Sequence, residues 1–220
     1  MKRRVLWLGA YAVAMGYLEA AVVVYLRAIY YPDGFAFPLA GMPDRMALIE
    51  VAREAATIVM IVGVAALAGT DRWERFLCFS LVFGIWDILY YVCLYVTLGW
   101  PPTLSTPDIL FLIPVPWVAP VLAPILISLG LIVGALVLLR LRARGAVVAF
   151  PPSLWALALA GGALVLLSFT LDSQVVVAGG QPPPFRWWLF GAGMGAGVGA
   201  LLAGTLRLRR MIGSVARSRS

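Results

Sequence analysis

The stretch MALIEVAREAATIVMIVGVAALA, residues 46–68, is long and apolar, yet it contains Glu50, Arg53 and Glu54. A helix needs about 20 predominantly apolar residues to cross a hydrocarbon core of about 30 Å. An ionised side chain in hydrocarbon costs roughly 2.5–3.5 kcal/mol on insertion scales, so each of the three must face a partner, water or a ligand. The stretch therefore predicts a transmembrane helix with one polar face.

The composition of the chain fits a protein built from such helices. Of its 220 residues, 63% are hydrophobic and only 12% are charged, and the mean hydropathy is +0.97. Soluble domains carry about 25% charged residues. We expect an all-α, polytopic integral membrane protein with residues 1–220 in a single transmembrane domain. Six stretches are predicted to span the membrane: residues 5–25, 46–68, 75–98, 118–139, 154–171 and 187–206.

The basic residues predict the orientation. They cluster before the first span, after the second, after the fourth and after the sixth: Lys2, Arg3, Arg4, Arg72, Arg75, Arg140, Arg142, Arg144, Arg207, Arg209, Arg210, Arg217 and Arg219. Because cytoplasmic loops carry an excess of Lys and Arg, both termini are predicted to be cytoplasmic (N-in/C-in). The same distribution accounts for the net charge of +7 without a nucleic-acid partner.

Two features bear on the source and on the N-terminus. A single lysine beside sixteen arginines is typical of a GC-rich prokaryotic genome, so we expect a multi-pass protein of the prokaryotic inner membrane. The basic start and the sequence Ala12-Val13-Ala14 resemble a signal peptide with its cleavage site. The apolar stretch continues well past that site, which favours an uncleaved first span.

The two halves of the chain differ in polarity. Residues 1–99 hold three spans and all the charged residues within spans, whereas residues 100–220 form a scaffold half with a proline-rich exterior loop. In that loop, residues 109–113 are too apolar for a solvated connection and too short to cross, so we expect an interfacial or re-entrant segment. Five charged residues are expected in the connections on the exterior side: Asp33, Asp44, Asp108, Asp172 and Arg186.

Four acidic residues from three predicted spans fall at a similar depth. At about 1.5 Å per residue, Glu19, Glu50, Glu54 and Asp87 lie between the bilayer midplane and the outer leaflet. Helical spacing puts Glu50, Arg53 and Glu54 on one stripe of the second span. The sequence therefore predicts one buried ligand- or proton-binding site with these five residues.

Three further side chains are predicted to support this site. Tyr90 and Tyr91 share a stripe with Asp87 and have hydroxyl groups that donate hydrogen bonds to carboxylates. Arg27 lies more loosely on the side of Glu19, at the edge of the first span. Because the carboxylates outnumber the arginines, protons, a bound cation or a cationic solute are expected to balance the charge.

The missing histidine restricts the chemistry. Without histidine, zinc sites and histidine-ligated haem are disfavoured, and no other cofactor is predicted. Oxygen ligands suit hard divalent cations, so Glu19, Glu54 and Asp87 are candidate metal ligands. No catalytic residue is predicted.

The sixth span carries small residues at every second position, from Gly191 to Gly199. Ridges of this kind allow helices to approach closely, and packing within the chain and dimerisation both fit them. Gly191, Gly195 and Gly199 are thus candidates for contact with a second copy or with a partner in a membrane complex, and the lipid bilayer is the other expected partner.

Three functions fit these observations. The first is a site open toward the outer face that binds or moves a proton, a hard cation or a small cationic solute. The second is a membrane-embedded enzyme that acts on a lipid or isoprenoid substrate at the outer leaflet. The third is a non-catalytic subunit of a larger membrane complex. The sequence does not decide whether the chain is an enzyme.

Overall fold

The computed structural model describes the backbone of residues 2–217 and the side chains of residues 2–210, and its elements are mostly helical. In chain order they are α1 (Lys2–Tyr30), α2 (Asp44–Ala68), α3 (Arg72–Leu98), β1 (Pro107–Phe111), β2 (Trp117–Pro120), α4 (Leu122–Ala143), α5 (Pro152–Thr170), α6 (Ser173–Val177) and α7 (Trp187–Arg217). Within the described residues, six helical stretches are long and apolar enough to cross a membrane, with α5 and α6 counted as one. The predicted six apolar helices are confirmed, and they fit a multi-pass membrane protein.

The connection between α3 and α4 corrects the all-α expectation. Strands β1 and β2 pair antiparallel, with Asp108 opposite Ala119 and an irregularity between Ile109 and Phe111. Residues 109–111 of the predicted interfacial segment therefore form strand, and the fourth long helix begins at Leu122 rather than at residue 118. Proline lacks the N–H that a helix or an inner strand requires, so Pro114 and Pro116 fall in the turn between the strands.

Helix α3 is the centre of the bundle. It packs against α1, α2 and α4, and it supplies much of the apolar core, including Leu77, Leu81 and Val82. Two glycines make the approach close: a Cβ at Gly16 of α1 would lie 2.9 Å from the Trp86 carbonyl, and one at Gly84 of α3 would lie 2.7 Å from the Ser128 carbonyl. The backbones of α1 and α4 thus rest directly on α3.

Helices α5 and α7 form a second tightly packed pair. A Cβ at Gly161 would lie 2.7 Å from the Gly193 carbonyl, so one glycine ridge of α7 is used within the chain. In the part of the chain that the structure describes, the Cβ positions of Gly191, Gly195 and Gly199 meet nothing within 4 Å. Contact of this second ridge with another chain stays a prediction.

Charged contacts join the helix ends at one end of the bundle, here called the basic end. Arg4 of α1 makes two hydrogen bonds to Glu74 of α3, at 3.0 and 3.2 Å, and Arg142 of α4 pairs with Asp71. Asp71 caps α3 by accepting from the backbone N–H of Glu74, and this bond lowers the pKa of Asp71. In the predicted C-terminal basic cluster, the side chains of Arg217 and Arg219 lie outside the described residues.

Candidate functional site

A cavity of about 260 Å³ lies at the opposite end, here called the proline-rich end. Its walls come from α1, α2, α3, strand β1 and the connection of residues 31–43. All eight residues that the sequence singles out line this one cavity: Glu19, Arg27, Glu50, Arg53, Glu54, Asp87, Tyr90 and Tyr91. Their functional role stays a prediction.

Arg53 links α1 to α2 through carboxylates on both helices. Its Nε donates to Glu50 at 2.8 Å, one turn earlier on α2, and its Nη1 donates to Glu19 of α1. The hydroxyl of Thr57 also donates to Glu19, at 3.1 Å. Positions 50, 53 and 57 are three and four residues apart, so all three side chains emerge from the same face of α2. This Glu19–Arg53–Glu50 group is held in place by its own partners.

Glu54 has a different environment, although it is on the same helix. Its side chain accepts a hydrogen bond of 2.8 Å from the backbone N–H of Leu112, just after β1. The residue is 7% exposed, and no ion pair to it occurs among the described residues. Glu54 is thus a buried carboxyl group with a neutral donor and no cationic partner.

Asp87 of α3 has the same character. Its carboxyl group accepts a hydrogen bond of 2.8 Å from the hydroxyl of Ser128 on α4, and the residue is 9% exposed. Within the described part of the chain, no Arg or Lys pairs with Asp87. The close packing of Gly84 on α4 brings Ser128 into reach.

A second ion pair closes the cavity nearer the loops. Arg27 donates to Asp108 of β1 at 3.4 Å, and the hydroxyl of Tyr91 donates to the other oxygen of Asp108 at 3.1 Å. The guanidinium carbon of Arg27 lies 3.7 Å from the centre of the Trp100 ring and 4.5 Å from that of Phe35. Stacking of this kind stabilises a cation that has left water.

Arg27 and Asp108 are only 7% and 2% exposed, and the sequence did not single out Asp108 as a site residue. Their positions relative to a membrane stay predictions. Burial raises the pKa of Asp108 to about 6. One signal for its burial is its position directly before the apolar run that begins at Ile109, which proved to be a strand over the cavity.

Tyr90 and Tyr91 make different contacts in the cavity. Both line the cavity, and their rings meet edge to face with centroids 4.9 Å apart. Tyr91 donates to Asp108 rather than to Asp87, the carboxyl group on its own helix. Tyr90 contributes its ring to the wall beside it.

Negative charge is in excess around the cavity. Five carboxyl groups line it against two guanidinium groups, and the two ion-paired groups take both arginines. Among the described residues, no group of three or more His, Cys, Asp or Glu side chains is arranged to hold a metal ion. A divalent cation on Glu19, Glu54 and Asp87 stays a prediction. The arrangement suits ligands that bring positive charge to Glu54 and Asp87.

Comparisons with known proteins do not add to this geometry. The chain matches no protein-family model, no curated protein and no solved structure.

Proposed function

We propose that the chain is a multi-pass protein of a prokaryotic inner membrane with both termini in the cytoplasm, and that its cavity binds a proton or a small cationic solute from the outer side for transport. One observation carries the proposal: Glu54 and Asp87 line the cavity, are buried, and have only neutral hydrogen-bond partners among the described residues. The basic clusters support the orientation through the excess of positive charge in cytoplasmic loops.

The charge of the two carboxyl groups explains why a cation is the expected ligand. A carboxylate in a low-dielectric site loses its hydration, and one hydrogen bond replaces only part of it. A proton or an organic cation restores neutrality. Each carboxyl group accepts one bond from the protein and keeps further lone pairs for a ligand.

The remaining charged residues act as positioning residues in this proposal. Arg53 forms ion pairs with both Glu19 and Glu50, so these two carboxylates already share a cation. In this proposal they position Arg53, whereas the sequence also offered Glu19 as a ligand. The fixed pairs instead keep α1 and α2 at the separation that leaves the cavity open.

The size of the cavity favours an organic cation over a bare ion. Drug-sized ligands occupy sites of about 300–1,000 Å³. The cavity, at about 260 Å³, lies just below this range and exceeds the space of one dehydrated metal ion. A small ammonium or guanidinium compound with a few waters is the ligand class that fits.

Binding and flux measurements on the purified full chain test the proposal. In lipid nanodiscs, calorimetry with guanidinium as the probe should detect binding by the wild type. Because a hydrogen bond to a charged group is worth about 1.5–3 kcal/mol, Glu54→Gln and Asp87→Asn should each weaken binding about tenfold or more. In proteoliposomes the same variants should lose guanidinium uptake driven by a pH gradient.

Asp33→Asn is the matched control, because Asp33 is an exposed acid of the adjoining connection and does not line the cavity. It should bind and transport guanidinium like the wild type. Wild-type affinity in both Glu54→Gln and Asp87→Asn, or the absence of guanidinium binding by the wild type, would remove the proposal.

A second candidate is a membrane enzyme that acts on a lipid or isoprenoid substrate, and the contact between α1 and α2 favours it. Each helix packs against α3, whereas Glu19 links them through polar bonds to Arg53 and Thr57. A lipid that entered between these helices would reach the same carboxyl groups. Native mass spectrometry tests it: wild type and Asp87→Asn should retain different lipids, and identical lipid retention rejects this candidate.

A further inference from the structure

Arg27 has donors that the protein does not use. Among the described residues, only its Nη2 atom has a hydrogen-bond partner, the carboxyl group of Asp108 at 3.4 Å. Its Nε and Nη1 atoms are buried without a partner among the described residues, although the side chain lines the cavity. Buried polar groups are nearly always satisfied, so unpaired donors on a residue that is 93% buried call for an acceptor.

The aromatic contacts of Arg27 do not supply this acceptor. The guanidinium carbon lies 3.7 Å from the centre of the Trp100 ring and 4.5 Å from that of Phe35, and the two rings are perpendicular to each other. Attraction between a cation and an aromatic ring positions the guanidinium group but supplies no oxygen acceptor for its N–H donors. Arg27 is therefore a donor group held rigidly in the wall of the cavity.

The cavity consequently has two ends of opposite character. At one, Glu54 and Asp87 have no ion-pair partner among the described residues; at the other, Arg27 has donors without a partner there, and its charge is balanced by Asp108. We propose that the ligand is a zwitterion: its cationic group binds at Glu54 and Asp87, and its carboxylate binds at Arg27. This inference rests on the proposed function and specifies the substrate class for the same cavity.

The fold sets the separation of the two ends. Asp108 pairs with Arg27, and the backbone N–H of Leu112 donates to Glu54. Positions 108 and 112 are four residues apart on one extended segment, which is about 13 Å at roughly 3.3 Å per residue. On α3, Asp87 and Tyr91 are one turn apart, about 6 Å along the axis. A ligand whose charges are separated by about six carbons falls within this range.

Two probes of equal length test the inference: 6-aminohexanoate, a zwitterion, and 6-aminohexanamide, which keeps the ammonium group but has no carboxylate. Calorimetry on the full chain in nanodiscs should show that the wild type binds the zwitterion about tenfold more tightly, as expected for one charge-assisted hydrogen bond. Arg27→Gln should remove this preference, so that the variant binds the two probes about equally.

Because Arg27→Gln leaves Asp108 without its cation, the double variant Arg27→Gln with Asp108→Asn provides a neutral pair and should give the same loss of preference. Arg45→Gln is the matched control, since Arg45 is exposed at the start of α2 and does not line the cavity. It should keep the wild-type preference.

The outcomes separate the two proposals. Equal affinities of the wild type for both probes, or equal losses for both probes in the two Arg27 variants, overturn the zwitterion and leave the cation site standing. Two other results would contradict both the cation site and the zwitterionic ligand. One is that the wild type does not bind the amide; the other is that the double variant Glu54→Gln, Asp87→Asn binds the amide as tightly as the wild type does.

Discussion

Glu54 on α2 accepts a hydrogen bond of 2.8 Å from the backbone N–H of Leu112, which is 58 positions later in the chain. The same extended segment presents Asp108 to Arg27 of α1. The β1–β2 hairpin therefore contacts all three helices that line the cavity: α2 through Glu54, α1 through the ion pair with Arg27, and α3 through the hydroxyl of Tyr91. It supplies the carboxylate that pairs with Arg27.

Removal of Arg53 should destabilise the helix bundle more than removal of an exposed arginine. In Arg53→Gln, Glu19 and Glu50 lose their shared cation; the pairs are partly buried, so the cost should be about 1–3 kcal/mol, between the values for exposed and for buried pairs. Unfolding in a denaturing detergent series measures this cost. The triple variant Glu19→Gln, Glu50→Gln, Arg53→Gln should recover much of it, and equal stability of Arg53→Gln and Arg45→Gln would contradict the prediction.

Substitution of Ser128 and substitution of Asp87, the two partners of one hydrogen bond, should change the stability of the protein differently. Ser128→Ala removes the only hydrogen-bond donor to Asp87 in the described residues and should cost about 1–3 kcal/mol. Asp87→Asn keeps a polar group beside the hydroxyl and removes the charge, so the protein should be as stable as the wild type or more so. Thermal unfolding in one detergent compares them; a large loss in Asp87→Asn argues that its carboxylate is structural.

Asp108 should make stability depend on pH. Burial raises its pKa from the ordinary 3.8 to about 6, so between these values the folded chain holds a proton that the unfolded chain has released. The free energy of unfolding should fall as pH rises through this window and level off above it. Asp108→Asn should abolish this part of the slope.

The infrared carbonyl band of protonated carboxyl groups gives an independent measurement of Asp108. Wild type minus Asp108→Asn should show a band that disappears with a midpoint near pH 6. A midpoint near 4 would contradict the raised pKa of Asp108.

Close packing of α3 on α4 should make Gly84 sensitive to a single methyl group. A Cβ at this position would lie 2.7 Å from the Ser128 carbonyl, so Gly84→Ala must push the helices apart and should cost about 1–3 kcal/mol. Gly63→Ala in α2 meets nothing within 4 Å and should be neutral or slightly stabilising. Equal thermal stability of the two variants would contradict the described packing.

Large substitutions on the two glycine ridges of α7 should have different effects on folding and on association. Gly193→Ile must displace α5, because Gly161 and Val165 lie within 3 Å of its Cβ position, and it should destabilise the fold. Gly195→Ile has open space, so it should fold normally and weaken association if the ridge contacts a second copy. Light scattering in detergent measures the association; an unchanged mass for Gly195→Ile excludes that ridge as the interface.

The six apolar helices and the polar faces of three of them could be predicted from the sequence. Both depend on local information: hydropathy over about 20 residues gives a span, and the 3.6-residue period puts Glu50, Arg53 and Glu54 on one side of α2. Combined with the expected orientation, the same rules brought Glu19 and Asp87 to a common depth, and in the structure these five side chains line one cavity.

The pairing of arginines with carboxyl groups depends on tertiary packing and could not be predicted from the sequence. Arg27 and Asp108 are 81 positions apart, and Arg53 and Glu19 are 34 apart, so hydropathy and helical period contain no information about either pair. The β1–β2 hairpin follows from strand pairing across a proline turn, which an analysis of helix periodicity does not detect. Since two arginines meet five carboxyl groups, packing alone selects which ones are neutralised, and it leaves Glu54 and Asp87 without a cation.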